Sequence, residues 1–259
     1  MPARVAAFMF HEVTDDPRSS GFQQPGAMPY KHTRRAFARC LDEIAAASPA
    51  PTLVTEVDLS RSGRHIFLTF DDGGKSAVAV GDQLSQRGWK GHFFIVTSLV
   101  GGRTFLDAEE IRTIRKAGHL IGSHSHTHPH IFRELPLERM VEEWRTNCDI
   151  LAQLLGEPVV SASVPGGDIN QRALDSAEAA GLRYLFTSEP WLTPRRAADC
   201  WILGRFSVKR ATSPTRVHNL AQLRGWTAAL VRRRLKVWAT LALPSLYRLY
   251  VRARTRPAD

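Results

Sequence analysis

Seven short apolar runs alternate with amphipathic stretches between residues 5 and 206, and no other feature of the sequence restricts the fold as tightly. Val5–Phe10, Ile66–Phe70, His92–Thr97, His119–Gly122, Pro158–Val164, Arg183–Thr187 and Trp201–Phe206 are each too short for a core helix and read as buried strands. The intervening segments carry helix signals. Thr33 can cap a helix to Ala47 whose inward face is Phe37, Cys40, Leu41 and Ile44, and Ser76 can cap another through Leu84. Asp107 and Glu110 form a capping box ahead of Ile111 and Ile114, and Asn170 can cap a helix closed by Gly181. The clearest helix runs from Pro136 to Leu155, with Leu137, Met140, Val141, Trp144, Cys148, Leu151 and Leu155 on one face. Strands and helices alternating at this spacing predict an α/β fold, a parallel sheet with helices outside, and seven strands in one run close most simply as a barrel.

Ligands bind at the carboxyl ends of strands in parallel α/β folds, and the unusual polar residues of this chain fall at such ends. The run Leu68-Thr69-Phe70 stops abruptly at Asp71-Asp72-Gly73-Gly74. Adjacent carboxylates at a strand end suffer desolvation and mutual repulsion, so a cation or a proton is needed to settle them; alone, the same four residues are also good turn chemistry. The fourth strand delivers His124-Ser125-His126-Thr127-His128-Pro129-His130, in which His124 and His128 stand at i, i+4 and one helical turn would bring both rings together. His126 and His130 are weaker members, and His126 faces away if the other two converge. Together the patches suggest one oxygen and two imidazole ligands around a divalent metal, with a spare carboxylate beside it.

Charge separates the chain into two parts. Of the net +10, residues 221–259 supply +8, with nine Lys/Arg against the single acid Asp259, so residues 1–220 carry only +2. The expected division is therefore a domain over 1–220 and a basic tail over 221–259. Cys40, Cys148 and Cys200 lack the spacing of a disulfide framework or a thiolate zinc site and read as small core residues. Phe10 is followed at once by His11-Glu12, so the start does not resemble a secretory signal, and no stretch is apolar over the length needed to cross a bilayer. These points set the expectation of a reducing, cytoplasmic location.

On the residues just given, the chain resembles the NodB-type polysaccharide deacetylases, carbohydrate esterase family 4. Thr69-Phe70-Asp71-Asp72-Gly73 is similar to that family's first motif, and Gly122-Ser123-His124-Ser125-His126-Thr127-His128-Pro129 to its second. His92-Phe93-Phe94-Ile95-Val96 resembles the strand between them. The order of elements is similar over about residues 1–210, and the match is strong over 66–130. The resemblance implies a distorted seven-stranded (β/α) barrel and removal of acetyl groups from amino sugars of a glycan. It further implies Asp72, His124 and His128 as ligands of zinc or a similar divalent ion, with Asp71 as general base. Such an ion polarises an amide carbonyl and acidifies a water, whose proton Asp71 would take.

Two departures from the family pattern bear on mechanism. In the third motif Pro165 and Gly167 match, but Ser163 stands where the family has an arginine and Gly166 where it has an aromatic residue. The backbone N–H of Gly166 can still serve as an oxyanion donor, while the arginine's tuning of the base is left without an owner. The final motif, a Leu-x-His supplying the general acid, is replaced by Ile202-Leu203-Gly204-Arg205-Phe206. Arginine holds its proton too firmly to act as an acid, so Arg205 is expected to bind substrate or to steady Asp71. His11, with Glu12 as partner, is the substitute acid, unless it is a structural histidine bonded to a loop carbonyl. Asp168 is a further candidate for binding substrate.

The tail mixes Trp226, Leu230, Leu235, Val237, Trp238 and Leu241 with arginines, then meets a helix breaker at Pro244. This pattern is that of an interfacial helix lying on anionic lipid at the inner membrane; the alternative is an ordinary helix across the barrel bottom. No nucleic-acid recognition motif accompanies the charge. The sequence thus points to a metal-dependent hydrolase of glycan acetamido groups. Two alternatives are a hydrolase of small cyclic amides or ureides and a glycan-binding scaffold without turnover.

Overall fold

The computed structural model describes residues 2–242. In chain order the first elements are β1 (Arg4–Phe10), β2 (Glu12–Val13), β3 (Lys31–His32), α1 (Arg34–Ala47), β4 (Arg64–Phe70) and α2 (Ala77–Ser85). There follow β5 (His92–Ile95), α3 (Ala108–Lys116), β6 (Leu120–Ser123), α4 (Leu137–Leu155), β7 (Ser161–Ser163) and α5 (Gln171–Ala179). Last come β8 (Tyr184–Phe186), β9 (Arg195–Ala197), β10 (Cys200–Leu203), β11 (Phe206–Ser207), α6 (Pro214–Ala221) and α7 (Trp226–Ala242).

The main sheet has the order β11-β1-β4-β5-β6-β7-β8-β10-β9 and is parallel except for β9, which runs antiparallel along β10. Its two ends meet in the chain itself. β10 and β11 are separated only by Gly204 and Arg205, so a single run of residues 200–207 pairs with β8 through its first half and with β1 through its second. The sheet curls round into a distorted barrel of seven parallel strands, the last broken in the middle. Gly204 sits at the break for a steric reason. A Cβ there would lie 2.4 Å from the carbonyl oxygen of Glu189 and 2.6 Å from that of Trp191, closer than any side chain can come.

Alternation along β1 sorts side chains between two cores. Ala6, Phe8 and Phe10 face the helices and join Phe37, Leu41, Ile44, Leu68, Phe70 and Phe93. Val5 and Ala7 face the barrel interior, where Phe67, Phe94, Phe186 and Leu203 from four other strands meet them. Each buried valine, leucine, isoleucine or phenylalanine of these sets contributes about 1.5–3 kcal/mol, and a contact set drawn from opposite strands is what closure demands. The expected caps at Thr33, Asp107 and Asn170 are present, each accepting from a backbone N–H of the first turn. Ser76 is a correction. Its hydroxyl does not cap α2, because it accepts from Val13 N and donates to the buried Glu12 carboxylate instead.

Helix α7 departs from the expectation of an ordinary helix across the barrel bottom. Trp226 is buried against the rings of Phe8 and Phe206, and Ala229 is buried as well. The helix lies at the end of the barrel where the strands terminate, not across its bottom, since Ala229, Arg232 and Arg233 line the same cavity as Asp71 and His124. Pro244 and the rest of the tail lie outside the described residues. No described helix is long and apolar enough to cross a membrane.

Candidate active site

Asp71 and Asp72 are presented by the end of a central strand. Asp71 N donates to the Phe10 carbonyl (3.1 Å), extending the β1–β4 ladder by one residue. The chain then leaves the sheet through Asp72 (φ 79°) and Gly73 (φ 75°). A left-handed aspartate is a strained choice that persists where the surroundings fix it, and here it turns the carboxylate into the cavity. Both acids are buried.

The histidine loop is built the same way. His124 N donates to the Ile95 carbonyl (2.9 Å), and the chain then turns through Ser125 (φ 63°) and His128 (φ 53°). Two polar residues on the buried face of α4 hold this loop, and the apolar periodicity of that helix concealed them. Glu143 accepts from Thr127 N and Oγ1, both at 2.7 Å, and Asn147 Nδ2 donates to the carbonyls of Ile95 (2.8 Å) and Ser125 (2.5 Å). A Glu and an Asn four apart, interleaved with Met140, Trp144 and Leu151, were the signal available in the sequence.

Asp72, His124 and His128 converge, with one ligand atom from each lying within 4.8 Å of the others. His124 Nε2 is 3.3 Å and His128 Nε2 3.7 Å from Asp72 Oδ1. The Ser163 carbonyl takes the Nδ1 side of His124 at 2.8 Å, which leaves Nε2 with its lone pair toward the cavity. Burial opposes ionisation of Asp72, but His11, His124 and His128 more than offset it and hold the carboxyl well below its usual range. Burial, then the charge of His124, pushes the His128 imidazole down to about 4. One carboxylate oxygen and two imidazole nitrogens at these separations suit a divalent ion of the zinc class, whose charge would displace the proton that Asp71 and Asp72 favour on His124.

Asp71 is held otherwise. Arg205 grips it through both oxygens, Nη1 to Oδ1 at 2.7 Å and Nη2 to Oδ2 at 2.9 Å, and Ser163 Oγ donates to Oδ2 at 3.0 Å. The guanidinium is itself fixed: Nε donates to the Thr187 carbonyl, Nη1 to Thr69 Oγ1 and Nη2 to Ser163 Oγ. Arg205 is wholly buried. Against the effect of burial, Arg205 and then His124 keep the Asp71 carboxyl below the usual carboxylate range. The missing arginine of the third motif thus has a counterpart from the last strand, with Ser163 filling the vacated space. Of the two roles open to Arg205, the geometry gives it the steadying of Asp71; its donors are spent there and do not reach for a ligand.

His11, Glu12, Gly166 and Arg205 line one cavity of 560 Å³ together with Asp71, Asp72, His124 and His128. The His11 ring lies 4.6 Å from that of Tyr30, and its buried Nδ1 has no hydrogen-bond partner among the described residues. The loop-carbonyl bond of the structural alternative is therefore not made at that nitrogen. Glu12 is not its partner: Oε2 is taken by Ser20 and by Ser76 (2.7 Å), and Oε1, like His11 Nδ1, has no hydrogen-bond partner among the described residues. Burial pushes the Glu12 carboxyl up to about 7. Gly74 leaves room for this carboxylate, since a Cβ would fall 2.2 Å from Glu12 Oε1 and force it to move. Gly166 takes φ 67° at the cavity wall. Asp168 is not on that wall; it pairs with Arg133 (3.5 Å) and with Arg233 of α7, which also holds Glu189 (3.0 Å). His126 turns away to Thr97 Oγ1 at 2.9 Å. Tyr30, Lys209, Arg216 and Arg232 also line the wall and had no motif to announce them.

Comparison with known proteins gives three findings. Residues 58–185 match the model of the family described as "Polysaccharide deacetylase". The chain is 28% identical over 145 residues to the peptidoglycan-N-acetylglucosamine deacetylase PgdA of Listeria monocytogenes, a match covering 55% of this chain and 30% of that protein. It therefore spans under a third of the length of the curated relatives it matches. In fold it is similar to the Streptococcus pyogenes deacetylase PplD, solved in complex with acetate (TM-score 0.69, 16% identity, 85% of this chain and 99% of that one). It is likewise similar to IcaB from Ammonifex degensii (TM-score 0.68, 21% identity, 86% of this chain and 100% of that one).

Proposed function

This chain belongs to the polysaccharide deacetylase family, and on that premise we propose that it hydrolyses the N-acetyl group of an amino-sugar residue in a glycan, with Asp71 as general base. The observation that carries the reading is the sharing of one cavity by two differently held carboxylates, Asp72 among imidazoles and Asp71 clamped by Arg205. Asp72, His124 and His128 would hold a divalent ion, zinc by the nitrogen-rich donor set, and that ion would supply the Lewis acid for the amide carbonyl and for water. Asp71 is kept ionised by Arg205, so it is available to take a proton at neutral pH. Gly166 offers its backbone N–H to the developing oxyanion. His11 stands on the same wall with a free ring nitrogen and serves the leaving amine.

The test is acetate release from N-acetylated oligosaccharides by zinc-loaded protein, with small cyclic amides as the competing substrates. Asp71→Asn is expected to keep the metal, measured by elemental analysis, and to lose turnover by about 10²-fold or more. Full activity in that variant removes Asp71 as base, and preferential turnover of cyclic amides replaces the substrate class.

We further propose that α7 lies on an anionic membrane surface, on the cytoplasmic side. Val231, Leu235 and Trp238 are 51%, 63% and 73% exposed and stand at i, i+4 and i+7, a single outward apolar stripe flanked by the exposed Arg234.

A further inference from the structure

The wall of the cavity carries more positive charge than the deacetylation of a neutral glycan uses. Lys209 follows β11, Arg216 is on α6 and Arg232 is on α7, so three separate elements bring a cation to one cavity. Lys209 Nζ lies 5.0 Å from the ring centroid of Tyr30, and the Arg216 guanidinium lies 5.0 Å from that of Phe206. Ring faces place these two cations without consuming their N–H donors in hydrogen bonds.

Among the described residues none of the three forms an ion pair, in contrast to Arg205 on Asp71 and Arg233 on Asp168 and Glu189. Asp71 is engaged by Arg205, Asp72 by the imidazoles and one oxygen of Glu12 by two serines, and none of the three carboxylates forms an ion pair with Lys209, Arg216 or Arg232 among the described residues. Cations brought to one concave wall set a positive potential inside it, and that potential attracts an anionic ligand but not a neutral sugar.

We propose that Lys209, Arg216 and Arg232 form an anion subsite beside the catalytic residues, and that the substrate is an amino sugar carrying a phosphate ester. This rests on the deacetylase reading for the chemistry and adds to it the class of sugar. Phosphate suits the cluster better than carboxylate, because it spreads up to two charges over three oxygens and can engage three separate donors. A cavity of 560 Å³ falls within the usual range for small-ligand pockets, roughly 300–1,000 Å³.

Binding and turnover are to be measured on zinc-loaded protein with N-acetylglucosamine 1-phosphate, its neutral methyl glycoside and an N-acetylated sugar bearing a carboxylate. The phosphate ester is expected to bind at least about tenfold tighter than the other two by titration calorimetry, with inorganic phosphate competing. The double variant Lys209→Ala/Arg216→Ala should lose that preference, and the ratio of kcat/KM for phosphorylated over neutral sugar should fall by the same factor. The charge-conserving Lys209→Arg should retain it, which separates loss of charge from loss of fold. Equal affinity for the phosphorylated and neutral sugars overturns the proposal. So does a preference that survives the double substitution, which would put the anion on the metal, or a stronger preference for the carboxylate.

A free sugar phosphate and the same phosphate esterified to a long-chain lipid alcohol in vesicles form the last pair of substrates. Whichever gives the higher kcat/KM identifies the source of the phosphate. Should every sugar bind with the expected order and none release acetate, the deacetylase reading fails while the subsite stands.

Discussion

Arg205 reaches Asp71 across 134 residues of sequence and meets it with two parallel N–H···O bonds. A forked guanidinium matches a carboxylate in a way an ammonium cannot, so Arg205→Lys keeps charge but loses the fork. We expect kcat/KM to drop about 10- to 100-fold in that variant while zinc content is unchanged. The acid limb of the pH profile should also move. Arg205 depresses the Asp71 pKa, and weakening the clamp raises it, so the limb shifts to higher pH; an unmoved limb would show that Arg205 does not tune the base. Glu12 responds to pH in the opposite sense. Its carboxyl sits at about 7 in the fold against 4.5 for the free group, so between these values the unfolded chain has already released the proton and the native state has not. Stability is thus greatest below about 4.5 and falls as pH rises through 7, by roughly 3 kcal/mol for this group alone. Glu12→Gln should flatten that part of the curve of denaturant midpoint against pH.

At the scale of elements, the histidine loop depends on a helix that contributes no ligand. Asn147 bridges the ends of β5 and the loop through two carbonyls. Asn147→Ala should weaken zinc affinity by about tenfold or more in chelator competition, because side chains that orient a metal's ligands matter nearly as much as the ligands. That α4 is a helix was legible from its apolar stripe, and so were the seven barrel strands, since their short apolar runs alternate with helix signals such as the caps at Thr33, Asp107 and Asn170. The convergence of Asp72, His124 and His128 was also within reach of spacing and resemblance. What the sequence could not show is which polar groups are buried together. Ser163, Arg205 and Asp71 come from three distant strands, and their meeting depends on closure of the sheet, a long-range property with no local pattern. Glu12 and Ser76 were misassigned for the same reason: a buried carboxylate claims the nearest hydroxyls whatever caps or partners local rules suggest.

For the whole molecule, α7 joins the cavity to the outside. Arg233 anchors it to Asp168 and Glu189, Trp226 plugs into the core, and Val231, Leu235 and Trp238 face outward. Replacing Leu235 and Trp238 by Asp should abolish sedimentation with vesicles rich in anionic lipid while leaving the melting temperature within a few degrees of wild type. Retention on the vesicles would refute the membrane role of this face. The broken seventh strand has one more implication. Arg205 lies in the two-residue joint where the sheet's ends are sewn together, so Asp71 acquires its counter-ion only when that seam is shut. With that seam open, Asp71 would lose the guanidinium that keeps its carboxyl below the usual range. Completion of the architecture therefore acts as a safety catch on the chemistry.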